Sequence, residues 1–120
     1  MALPDLGQAG KLQIEQREEA GVALLRVRGD LDLSTAPMLC RAVRPSMPRV
    51  AIDLRSVGFC DSTGLVALMG AVREVQAHAG AVAIIVCEGD AVDRTLGLAG
   101  VGEFLHVARS LADARRFLAA

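Results

Sequence analysis

The chain has 120 residues, enough for one domain that buries roughly two-thirds of the surface its unfolded form exposes, without metal or disulfide staples. Hydrophobic residues make up 52% and charged residues 22%, which excludes a disordered chain. A net charge of −1, with neither Trp nor Tyr, leaves no electrostatic or stacking basis for direct nucleic-acid binding.

Residues 1–10 hold Pro4, Gly7 and Gly10 without periodicity and read as a flexible lead-in to a domain over 11–120. They lack a basic stretch followed by an apolar run, so no signal peptide is expected. From Lys11, Leu12, Ile14 and Gln16 alternate apolar and polar, which predicts a half-exposed strand. A turn at Glu18–Gly21 leads into a second strand, Val22–Arg28, completing an antiparallel hairpin. Gly29 to Leu33 leaves that strand. Ser34 or Thr35 caps a short helix with Pro37 in its first turn and Met38, Ala42 and Val43 at helical spacing.

Arg49–Leu54 is nearly all apolar, as expected of a strand covered on both faces. The second helix opens near Ser62, with Leu65, Leu68, Met69, Val72 and Val75 on one stripe, and stops at Gly80. Ala81–Cys87 is a fourth strand. Asp90 and Asp93 have cap spacing ahead of a helix carrying Val92, Leu96 and Leu98, broken by Gly97, Gly100 and Gly102. Phe104–Val107 is a short fifth strand. Ser110 opens a last helix with Leu111, Ala114, Phe117 and Leu118 inward. The order ββαβαβαβα predicts an α/β single domain with a mixed, mostly parallel sheet of about five strands and about four helices.

Asp61-Ser62-Thr63-Gly64 sits at the turn between the third strand and the second helix, where α/β domains place working groups. A serine nucleophile needs a base. His78 falls about 24 Å of helix rise from Ser62, the position of His106 is open, and the G-x-S-x-G pattern is absent. Gly97, Gly100 and Gly102 close a helix and have no following Lys, unlike a phosphate loop. Asp30, Asp32 and Asp61 lack cation-loop spacing and read as turn carboxylates and caps, so neither metal nor cofactor is expected. Cys40, Cys60 and Cys87 lack metal or redox spacing and read as free thiols in a reducing cytoplasm. No apolar run is long enough for membrane insertion. By itself, the Asp-Ser-Thr-Gly tetrapeptide is a helix cap. In its context Ser62 is also a candidate acceptor, where a phosphate would add about −1.5 to −2 charge.

From residue 12 to 118 the chain resembles STAS domains of the anti-sigma factor antagonist type. The resemblance rests on Gly29-Asp30-Leu31-Asp32 with Thr35-Ala36-Pro37, then Asp53-Leu54, Val57, Phe59 and Asp61-Ser62-Thr63-Gly64-Leu65. It continues through Val92, Leu96, Gly100-Val101, Phe104 and Ser110-Leu111 with Ala114. Cys60 departs from it, where the family usually has an aliphatic residue. The resemblance implies a non-enzymatic binding switch with Ser62 as phosphorylation site and Thr63 as secondary acceptor. Asp30, Asp61, Thr63 and Gly64 are then the partner-binding residues. The implied partners are an anti-sigma factor serine kinase, an ATPase of histidine-kinase-like type, and a phosphatase. The unphosphorylated protein would sequester the kinase and so release a sigma factor. The alternatives are a STAS adaptor of a membrane lipid-transport ATPase complex and, from another class, a Ser-dependent or nucleotide-binding enzyme.

Overall fold

Alternating side chains and a two-residue turn make β1 (Leu12–Glu19) and β2 (Val22–Leu31) an antiparallel hairpin. Ala20 and Gly21 both have positive φ, 51° and 80°, the backbone twist that suits a tight hairpin loop. The computed structural model describes residues 12–119; the expected lead-in, residues 1–10, and Lys11 lie outside them. After the hairpin come α1 (Ala36–Ala42), β3 (Arg49–Cys60), α2 (Ser62–Ala77), β4 (Ala81–Ile85) and α3 (Ala91–Ala99). A 3-10 turn (Gly102–Phe104), β5 (His106–Ala108) and α4 (Leu111–Ala119) complete the described chain.

The five strands lie in sequence order, with β2 to β5 parallel. When each parallel crossover has the same hand and moves the same way across the sheet, the connecting helices share one face. That face holds the larger core. Leu39 and Val43, Leu65, Leu68, Val72 and Val75, and Val92 and Leu96 pack there on Leu25, Ile52, Leu54 and Ile84. Helix α4 returns over the opposite face, where Ala114 and Leu118 meet Leu24, Ala51, Ala83 and Ile85. Burial on both faces accounts for the apolar run at Val50–Leu54.

Several elements differ from the sequence expectation. Strand β2 runs three residues further, through Gly29 and Asp30 to Leu31, and β3 runs six further, to Cys60. The β2–β3 register slips between Arg26 and Arg28 and again between Gly29 and Asp30, each time with an extra residue on β3. Arg55 with Ser56, and Gly58 with Phe59, are therefore consecutive exposed residues, and the period-2 signal is lost while pairing continues. On α1 the inward residue is Leu39, fully buried, and not Met38, which is 39% exposed. Helix α3 runs through Gly97 and ends at Gly100, which takes the left-handed C-cap conformation, while Leu98 points to solvent. Phe104 lies in the 3-10 turn and not in β5. Phe117 lies at the surface with its ring stacked on His106, centroids 3.6 Å apart.

Candidate functional site

The two extra residues of β3 lengthen it until Leu31 pairs with Cys60, so the ends of β2 and β3 finish side by side. The Asp61 N–H donates to the Leu31 carbonyl at 3.3 Å, and the chain then turns into α2. Asp61 is the N-cap: its backbone is extended and its Oδ1 accepts from the Gly64 N–H at 2.9 Å. That bond satisfies one of the orphan donors of the first turn. Ser62 and Thr63 therefore occupy the first two helical positions. Both are exposed, and neither hydroxyl is engaged in a hydrogen bond within the described residues.

Gly64 is buried. A Cβ there would lie 2.2 Å from the Leu31 carbonyl oxygen and 2.7 Å from its carbon. The first turn of α2 thus presses on the backbone of β2, and only glycine fits. Leu65 and Leu68 drop into the core directly behind it. Gly64 contributes the shape of the turn, and Ser62 and Thr63 its accessible surface.

Asp30 faces Phe59 across the β2–β3 ladder, one residue before the Leu31–Cys60 pair, and is half-buried. Its carbonyl accepts from Thr35 Oγ1 at 2.8 Å, and the same hydroxyl oxygen accepts from the Asp32 N–H at 3.0 Å. Asp32 Oδ1 accepts from the Ser34 N–H at 3.0 Å and the Thr35 N–H at 3.2 Å. The Asp32–Thr35 loop is therefore closed by its own side chains. Thr35 begins α1 without capping it, because its hydroxyl points back into this loop. Asp30 lies opposite Phe59, two residues before Asp61, at the same end of the sheet, while Asp32 turns inward to the loop. Among the described residues no three His, Cys, Asp or Glu come together as a metal site.

Beneath the site lies Cys60, 7% exposed. Burial, then the charge of Asp61, pushes its thiol up to about 11, so it stays protonated and inert near neutral pH. Thr95 on α3 donates to the Cys60 carbonyl at 2.7 Å and pins the end of β3 to a helix thirty-five residues further on. The sequence reading gave Thr35 a helix-capping role that its hydroxyl does not play, and it missed Thr95. The Asp32-Leu33-Ser34-Thr35 spacing carries a turn signal for the first, and nothing local marks the second.

Neither histidine stands beside Ser62. His78 caps the far end of α2, its Nδ1 2.9 Å from the Glu74 carbonyl. His106 pairs with Ala83, level with Ala51 near the opposite end of β3, and its ring is stacked on Phe117. On the face that α4 leaves open, Glu15, Arg26 and Asp53 are successive cross-strand neighbours. Asp53 is 8% exposed and grips Arg55 with both oxygens at 2.9 Å. Burial raises its pKa, but the Arg55 hydrogen bonds and the Arg55 and Arg26 charges outweigh it and hold the carboxyl below its ordinary value. With acid and base alternating, and with Asp53 paired to Arg55 and, at 4.0 Å, to Arg26, this face is not an anion site.

The STAS domain family model matches residues 12–114. An anti-sigma F factor antagonist from Paenibacillus polymyxa is 28% identical over 102 residues, covering 80% of this chain and 86% of that protein. The crystal structure of an anti-sigma factor antagonist from Mycobacterium paratuberculosis superposes with a TM-score of 0.82, at 26% identity and with both chains fully covered. Unphosphorylated SpoIIAA, an anti-sigma factor antagonist, superposes at 0.70 and 16% identity over 90% of this chain and 98% of its own. Its phosphorylated form superposes at 0.64 and 16% identity over 88% and 99%. At that identity the likeness to SpoIIAA concerns the fold. With the family model covering the sheet and the Asp61–Leu65 turn, the chain belongs to the STAS domain family.

Proposed function

We propose that this protein is an anti-sigma factor antagonist whose partner binding is switched by phosphorylation of Ser62, with Thr63 the secondary acceptor. The observation that carries the reading is the Ser62 hydroxyl, free and exposed at the first position of α2 while the residues around it are fixed by backbone contacts. The Paenibacillus and Mycobacterium relatives support it. The protein is a substrate and a binding partner, not a catalyst, and works in the cytoplasm. No described helix is long and apolar enough to cross a membrane.

In this reading a serine kinase that is also the anti-sigma factor binds the rim formed by Asp30, Asp61, Ser62, Thr63 and the backbone at Gly64. Ser62 Oγ attacks the γ-phosphorus of ATP, its proton passes to a base on the kinase, and ADP leaves. The helix N-terminus tolerates the new phosphate, since its dipole favours negative charge. The domain does not need to refold. A partner surface pressed against Asp30 and Asp61 does not tolerate it, because two more negative charges enter an already acidic contact. The kinase is released and recaptures its sigma factor. A phosphatase then restores the free hydroxyl.

The test uses the anti-sigma factor kinases of the source organism, each titrated with Ser62→Ala and Ser62→Asp protein by calorimetry. One kinase should bind Ser62→Ala like the wild type and lose Ser62→Asp. Equal binding of both variants to every such kinase contradicts the switch.

A further inference from the structure

Helix α2 carries more than the acceptor. Ser62, Val66, Met69, Arg73 and Gln76 follow one another at spacings of four, three, four and three, which places them on a single face. Val66 is 69% exposed and Met69 half-buried. The far half of this face does not end in open solvent. Met69, Arg73 and Gln76 form one wall of a groove of about 290 Å³, and Val101, Phe104 and Leu105 form the other.

Four of those six residues are apolar. Phe104 holds its ring 64% exposed on a 3-10 turn where a polar residue would meet water without cost. An aromatic left in solvent beside a shaped apolar groove is the type of residue that anchors a protein partner. The groove has one charged wall residue, Arg73, which makes no ion pair among the described residues. Its chemistry suits an apolar side chain with a carboxylate beside it. The groove also continues the face that bears Ser62, with Arg73 about 16 Å of helix rise from the acceptor.

We propose that this groove is a second anchor for the kinase that acts on Ser62, taking one of its apolar side chains with a neighbouring carboxylate against Arg73. The inference rests on the Ser62 reading and adds a specificity surface to it. At that separation the anchor lies beyond the Debye length of about 8–10 Å and is insensitive to the phosphate. It tethers both forms of the protein equally, so Ser62 sets the affinity change and the groove sets which kinase is recruited. Such uniform binding lowers KM for the phosphorylation step and leaves kcat alone.

The experiment titrates the kinase that phosphorylates Ser62 with wild type, Phe104→Ala, Arg73→Glu, Ser62→Asp and the Phe104→Ala/Ser62→Asp double variant. Thermal unfolding within a few degrees of wild type certifies each variant's fold, and a Phe104→Leu variant keeps an apolar side chain in place. Phe104→Ala and Arg73→Glu should each raise Kd about tenfold or more. They should raise KM to match at unchanged kcat, and Phe104→Leu should recover most of the loss. The losses from Phe104→Ala and Ser62→Asp should multiply, as for independent sites more than 10 Å apart. Kinase affinity unchanged in Phe104→Ala while Ser62→Asp still weakens binding overturns the groove and leaves the switch standing. Wild-type affinity in Ser62→Asp overturns the switch and the groove with it. A wild-type dimer that Phe104→Ala turns into monomer at unchanged kinase affinity assigns the groove to a second copy and also overturns the proposal.

Discussion

Gly64 stands where the first turn of α2 touches β2, and its missing side chain decides the geometry of the proposed site. A methyl group placed 2.2 Å from the Leu31 carbonyl oxygen meets the backbone of β2, which no side-chain rotation relieves. Gly64→Ala is expected to lower stability by about 2–3 kcal/mol in denaturant melts, in the range of overpacked cores. A loss below about 0.5 kcal/mol would mean the turn yields easily. Cys60 offers a second test at the same scale. With its thiol held at about 11 by burial and by Asp61, a maleimide at pH 7.5 should label Cys40 and Cys87, both exposed, within minutes. Cys60 should react only after unfolding, read by peptide mapping. Asp53 carries the pH dependence. Its folded pKa lies below the ordinary 3.8, so its contribution is present above that value and is lost as pH falls through the folded one. Asp53→Asn should cost about 1–3 kcal/mol at pH 7, and its gap to wild type should narrow below about pH 4. An equal gap at pH 3 and pH 7 would remove the ion pair from the account.

Helix α2 is the element most plainly written in the sequence and the one the site depends on. Its stripe of Leu65, Leu68, Met69, Val72 and Val75 is apolar at helical spacing, and in the fold all but Met69 are buried outright. Leu68 is fully buried, so Leu68→Ala should cost about 2–5 kcal/mol in the same melts. A negligible cost would mean that another face of the helix is packed. The strand-and-helix order was equally legible, since each apolar run is bounded by Gly, Pro or a capping Asp. The ends of β2 and β3 were not. Two bulges put exposed residues side by side at Arg55–Ser56 and Gly58–Phe59, which erases alternation while leaving the ladder intact. Those hidden residues are the ones that carry Leu31 to Asp61. Sequence spacing thus showed Asp61 to Gly64 as a cap but not what the cap presses against. Met38 and Phe117 misled for a simpler reason: periodicity allows adjacent registers, and tertiary packing chose Leu39 over Met38 and, of the two adjacent residues read as inward, buried Leu118 and left Phe117 at the surface.

At the scale of the molecule, the layout separates the packed core from the surface proposed to bind partners. Three crossover helices cover one face of the sheet and α4 covers part of the other, and the Ser62 hydroxyl, the proposed acceptor, lies outside that core at the carboxyl end of β3. A phosphate on Ser62 therefore changes a surface without altering packing, and phosphorylated protein should unfold within a few degrees of the unmodified form. The change in partner affinity is another matter. Like charge brought against an acidic contact should cost at least about 2 kcal/mol, roughly thirtyfold in Kd. Acceptance of that phosphate is the central claim, and intact-mass and peptide mass spectrometry test it most directly after incubation with each anti-sigma factor kinase of the source organism and ATP. One phosphate per chain is expected, mapped to Ser62 and absent from Ser62→Ala. A kinase that binds the protein normally yet places phosphate elsewhere, or none at Ser62 or Thr63, would contradict it.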